Sequence, residues 1–164
     1  MEEKWYKISK TEESIDNFLN IFCTLHDYRV YEVNYNYLKD ELIIKFVYDT
    51  EQEGVLLKFL GVKSISISPE YRIEYPWLAG VGIKITDSGT FLWYDDDEDW
   101  SIEEIKESPG RDWVEASEMQ FAFLDENGII VPLTNEKLNP VWMQLNFETM
   151  EYEEEQKHFQ VEEV

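Results

Sequence analysis

The sequence predicts an α+β fold that is mainly β: an antiparallel β-sandwich or strongly curled meander with one N-terminal helix packed on it. Three observations carry this reading. Apolar and polar residues alternate with period two in run after run from Tyr31 onward. Asp, Asn and Gly separate these runs at short intervals, as tight turns require. Only one segment, near the N-terminus, has helical spacing. Strands joined by short connections form antiparallel sheet rather than alternating helix–strand units.

The helix is expected over residues 11–25. Thr11 suits an N-cap, Glu12 and Glu13 complement the positive helix end, and Ile15, Phe18, Leu19 and Phe22 make one apolar stripe. His26-Asp27 then closes it. Tyr31, Val33, Tyr35 and Tyr37 alternate with Glu32, Asn34 and Asn36; Leu42, Ile44, Phe46 and Tyr48 repeat the pattern. Val55–Leu57 and Phe59-Leu60 read as more fully buried, and Ile65 and Ile67 alternate with serines. Two hairpins follow, Ile83/Ile85 through Asp87-Ser88-Gly89 into Phe91/Trp93, and Met119–Phe123 through Asp125–Gly128 into Ile129/Val131. Met143, Leu145 and Phe147 mark a last strand. Residues 1–150 are expected to form a single globular domain and residues 151–164 an acidic, partly disordered tail.

The 164 residues suffice for a core without staples, and 43% hydrophobic with 15% aromatic content is that of a folded chain. No apolar run could span a bilayer and MEEKWYKISK is no secretion signal; with the single Cys23 this leads to the expectation of a cytoplasmic protein. The formal net charge is −22, which disfavours nucleic acid and anionic membranes and favours a basic partner. The imbalance is concentrated: residues 91–164 hold 21 acids and 4 bases, against 15 and 10 in residues 1–90.

The run Asp95–Asp99 invites a metal reading. Counted as an EF-hand loop from Asp95, it puts Trp100 where the turn glycine belongs and Lys106 where the closing glutamate belongs. Cys23 and His26, three residues apart on the expected helix, could start a nucleophilic or zinc site, but the stripe makes Cys23 a buried apolar residue and His158 lies far off in the tail. His26-Asp27 serves better as a helix end than as a catalytic pair. No GxSxG, HExxH, P-loop or dinucleotide fingerprint occurs. The expectation is therefore no enzyme, no metal and no cofactor. Among the tryptophans, Trp93 continues a buried strand face, Trp100 is the best placed for exposure, and Trp113 is open to either reading.

Leu25-His26-Asp27 leads into a strand, then Asp40-Glu41-Leu42-Ile43-Ile44-Lys45-Phe46 and Leu56-Leu57-Lys58-Phe59-Leu60-Gly61-Val62. This order, over about residues 14–68, resembles small bacterial domains of the immunity-protein type. The resemblance implies a protein that binds a toxin encoded beside it and does no chemistry. The expected function is an acidic binding protein, an immunity protein against a basic toxin such as a nuclease. Its expected contacts are Asp95, Asp96, Asp97, Glu98, Asp99, Trp100, Glu103, Glu104 and Trp113. An adaptor or structural domain, or a carbohydrate-binding β-sandwich module stacking sugars on tryptophan, is the alternative.

Overall fold

A computed structural model describes residues 3–48, 52–69 and 76–164. The strands among them are β1 (Tyr6–Ile8), β2 (Tyr28–Asn36), β3 (Glu41–Tyr48), β4 (Gly54–Ser66), β5 (Gly82–Ile85), β6 (Phe91–Tyr94), β7 (Trp113–Leu124), β8 (Ile130–Val131), β9 (Val141–Asn146), β10 (Glu151–Gln156) and β11 (Glu162–Glu163). Three helices accompany them: α1 (Glu12–Ile21), α2 (Ile102–Glu107) and α3 (Asn135–Leu138). The fold is mainly β and antiparallel, with α1 on the sheet.

All strands but β9 and β10 belong to one sheet, whose main path is β11-β1-β7-β4-β3-β2. Strand β7 is its axis. Along one edge it pairs with β4; along the other it takes β6 at residues 113–116, β1 at 119–121 and β8 at 123–124. The sheet curls strongly. The Trp93 ring in β6 packs 5.8 Å from that of Phe46 in β3 and edge-on, 6.1 Å from that of Phe59 in β4, although β7 and β4 separate β6 from β3 in the path. Register shifts at Val30/Glu32 and Val62/Ser64 add bend, the second beside Gly61, whose φ of +60 glycine tolerates. The curl nearly closes where Trp77 bridges Arg29 and the Leu78 amide donates to the Tyr28 carbonyl at 2.7 Å. Between the two expected forms, the curled sheet is the one adopted.

The core lies inside this curl. Helix α1 forms for the expected reasons: the Thr11 hydroxyl accepts from the Ser14 amide and Ile15, Phe18 and Ile21 are buried. Phe18 and Phe22 pack on Phe121, and Tyr6 stacks on it from β1. The helix stops four residues early, however. Cys23, Thr24 and Leu25 have φ of 49, 54 and 59, a left-handed turn that buries Leu25 and turns Cys23 outward. Cys23 is thus exposed rather than part of the apolar stripe. The Val81 amide holds the turn by donating to the Thr24 carbonyl at 2.8 Å.

The acidic end, expected as a fraying tail, is also built into the structure. β10 pairs with β9 over its whole length, and β11 pairs with β1. Phe159 and Val161 pack against the core between them, and Asn17 donates to the Gln160 carbonyl at 3.0 Å. Apolar anchors every few residues offset the repulsion of the glutamates around them. Among the described residues no helix is long and apolar enough to cross a membrane.

Candidate functional site

The nine residues singled out in the sequence all fall on one corner of the molecule, between the end of β6 and the start of β7. Strand β6 is buried on both faces. Phe91 and Trp93 enter the main core, while Leu92 and Tyr94 join Ile105, with Trp100, Ile102 and Trp113 packed around them. Trp100 and Trp113 are therefore half-buried. Trp100 was expected to stand free; instead it roofs this small second core.

The acidic run is held in a defined shape. Asp96 accepts from the Glu98 amide and the Trp100 indole, both at 3.0 Å, and lies 3.3 Å from Arg111. The Arg111 guanidinium also sits over the Trp100 ring, 4.8 Å from its centroid. Tyr94 donates to the Glu98 carbonyl at 2.9 Å; burial and the charges of Asp99 and Asp96 raise its phenol and keep it a donor. Behind the loop, Asp112 is buried and accepts from the Ser68 amide at 2.7 Å. Gly80 lies so close to Asp97 that an added Cβ would come within 2.6 Å of its Cβ. Helix α2 follows through a capping box: Ser101 accepts from the Glu104 amide while the Glu104 carboxylate accepts from the Ser101 amide.

These contacts sort the acids into two groups. Asp96 and Glu104 shape the corner. Asp97, Glu98, Asp99 and Glu103 are exposed. Lys84 pairs with Asp99, whose carboxyl this hydrogen bond and charge hold below the usual range. Lys106 is engaged by Glu115 and Arg111 by Asp96, so the cations nearest the loop are already committed to carboxylates. The surface left over is negative.

The Lys106–Glu115 pair beneath α2 gives this corner a pH dependence. Glu115 also accepts from the Thr90 hydroxyl at 2.8 Å, and its side chain is 14% exposed. The Lys106 hydrogen bond, opposed by desolvation and helped by Thr90, lowers its carboxyl below the ordinary glutamate value. A carboxyl lowered by folding stabilises the fold above its unfolded value, and that contribution disappears as pH falls through the folded value. Glu115→Gln should therefore melt below wild type near neutrality, and the gap should narrow in melts recorded at successively lower pH once the ordinary glutamate range is passed. A gap that is constant with pH would show that this pair is not its source.

The remaining sequence candidates lie apart from the corner. His26 Nδ1 is 3.2 Å from Asp27, with both side chains more than half exposed, and the His26 amide donates to the Cys23 carbonyl at 3.0 Å. His158 bonds Asn139 at 2.7 Å. Among the described residues, no three of His, Cys, Asp and Glu are placed to hold a metal ion. No protein-family model matches the chain, no curated protein matches it in sequence, and no solved structure matches its fold. A hollow of about 760 Å³ lies elsewhere, lined by Val30, Val33, Leu42, Val62 and Ile65 with Lys63 at its side. Tyr35 and Tyr37 also line it.

Of one further surface element, the sequence reading found the first strand and missed the second. Strands β9 and β10 form a two-stranded ribbon outside the main sheet. The alternation of Val141, Met143 and Leu145 signals its first strand; the second, EYEEEQ, carries one apolar residue and no periodic signal of its own.

Proposed function

We propose that this chain is a non-enzymatic binding protein whose acidic corner captures a basic protein, and that its concrete form is an immunity protein holding a basic toxin such as a nuclease. The observation that carries the reading is the held shape of the Asp95–Asp99 loop. The Asp96–Arg111–Trp100 contacts fix the backbone while Asp97, Glu98 and Glu103 stay exposed. A preorganised row of carboxylates loses little entropy on binding and sets up a field that steers a cationic partner. The concentration of acids in residues 91–164 extends that field beyond the loop. A nuclease cleft, basic because it must hold phosphate, is a complementary target. The half-buried tryptophans leave little aromatic platform for a sugar at this corner.

The test is co-expression with a basic toxin, which the immunity reading expects to be encoded beside the gene. Wild type should restore growth, and the triple variant Asp97→Lys, Glu98→Lys, Glu103→Lys should fail. In surface binding, the association rate should fall about tenfold or more in the triple variant, and also in wild type as salt is raised. Full protection by the triple variant would move the site away from this corner. Failure of wild type to protect or bind would end the immunity reading.

A further inference from the structure

We propose that two copies of this chain associate through the open edge of β9, an inference independent of the function proposed above. In the ribbon, β9 and β10 pair, among the described residues, only with each other. The edge of β10 carries Glu151, Glu153, Glu154 and Glu155, the charged protection with which proteins blunt exposed edges. The edge of β9 has none. Val141-Trp142-Met143-Gln144-Leu145-Asn146 holds no charge, no proline and no glycine, and an uncharged edge strand is a template for another strand.

The hydrogen-bond phase shows which groups that edge offers. The Lys157 amide donates to the Pro140 carbonyl at 2.9 Å, and these residues continue the Gln156–Val141 pairing outward. Hydrogen-bonded pairs alternate along an antiparallel ladder. Trp142, Gln144 and Asn146 therefore turn their backbone groups toward β10, and Val141, Met143 and Leu145 turn theirs to the open edge. Val141 and Met143 are also among the large apolar side chains left exposed.

Two such edges fit each other about a two-fold axis. With Met143 on the axis facing its counterpart, Val141 of each copy lies opposite Leu145 of the other, and the outward amides and carbonyls of all three residues pair. The same face then carries an apolar row from both copies, flanked on each β10 by Tyr152, Glu154 and Gln156, which lie opposite Leu145, Met143 and Val141 in the ribbon. Charge selects a second copy as the occupant. In a chain of −22, self-association elsewhere brings acids together, whereas this seam is neutral. The glutamate strands end up on the outer edges of a four-stranded sheet, about 14 Å apart, beyond a Debye length of about 8 Å. Such an interface is isologous and closes at a dimer.

The full chain in analytical ultracentrifugation should sediment at twice the 19.7 kDa of one chain. Met143→Pro removes an outward donor and spares the ribbon, and Met143→Lys puts like charges across the axis; both should be monomeric with wild-type circular dichroism. A direct readout uses a Cys23→Ser background. Facing residues of a hydrogen-bonded pair have Cα atoms about 5.5 Å apart, within disulfide range. Met143→Cys should therefore form a covalent dimer on oxidation, and Tyr37→Cys, on an exposed hairpin tip elsewhere, should not. A wild type monomeric at about 100 µM, or dimers that persist in both Met143→Pro and Met143→Lys, would overturn the proposal.

Discussion

Gly54→Ala is expected to be among the most damaging single-methyl additions in this protein. A Cβ at Gly54 would lie 1.9 Å from the Phe46 carbonyl oxygen and 3.0 Å from the Val47 Cα. Both obstacles are backbone, so no side-chain rotation can make room. Gly54 sits between Val47 of β3 and Leu124 of β7, and Phe46, Val47 and Val55 beside it are all buried. Relief requires the β3–β4 ladder to shift, which disturbs packing on both faces. The expected loss is about 3 kcal/mol or more, at the upper end for overpacking. For a domain of this size that lowers the melting temperature by roughly 6 to 12 °C. Gly89→Ala is the matched control. It has φ of +79 but nothing within 4 Å of an added Cβ, so it should cost only the left-handed penalty of about 1–2 kcal/mol. Equal losses in the two variants, measured by urea unfolding, would contradict the close approach at Gly54.

Trp93→Ala should cost about 3–5 kcal/mol, the range for deleting a buried aromatic side chain. Trp93 is 1% exposed and fills the space enclosed by the curl against Phe46 and Phe59. Its indole nitrogen has no hydrogen-bond partner among the described residues, and an unpartnered buried donor itself costs about 1–3 kcal/mol. Trp93→Phe keeps a ring in place and removes that donor, so its loss should stay under about 2 kcal/mol. The ordering alanine far below phenylalanine, with phenylalanine close to wild type, is the result to look for in denaturant melts. Because β6 carries the chain into the acidic corner, Trp93→Ala should also weaken the binding proposed for that corner, whereas Trp93→Phe should not.

Much of the fold can be read from residue order because its signals are local. Thr11, Glu12 and Glu13 with the Ile15/Phe18 stripe specify the start of α1, and the alternation from Tyr31 to Tyr48 specifies β2 and β3. The end of α1 is not local in this sense. Its left-handed turn depends on Leu25 finding the core and Thr24 meeting Val81, fifty-odd residues away. Strand β1 is three residues long and owes its existence to the neighbours β7 and β11. Helix α2 did have a signal, the Ser101-x-x-Glu104 capping box before Ile105, but the flanking acids read more readily as a solvated loop. The same limit applies at the candidate site. Asp96 and Asp97 are identical in sequence terms, and the Trp100 indole together with Arg111, arriving from beyond α2, makes one a strut and leaves the other on the surface.

The position of β7 has a consequence for how the chain reaches this state. Residues 113–124 pair with β1, β4, β6 and β8, so the strands made earlier have no completed sheet until this segment joins them. The β2–β3–β4 meander can assemble from near neighbours. By contrast, β1 must wait for a partner more than a hundred residues downstream, and then for β11. Loop closure over such separations is what slows folding in sheet proteins. On the ribosome, β1 to β6 emerge before this central strand, with α1 and the inner face of β4 still seeking cover.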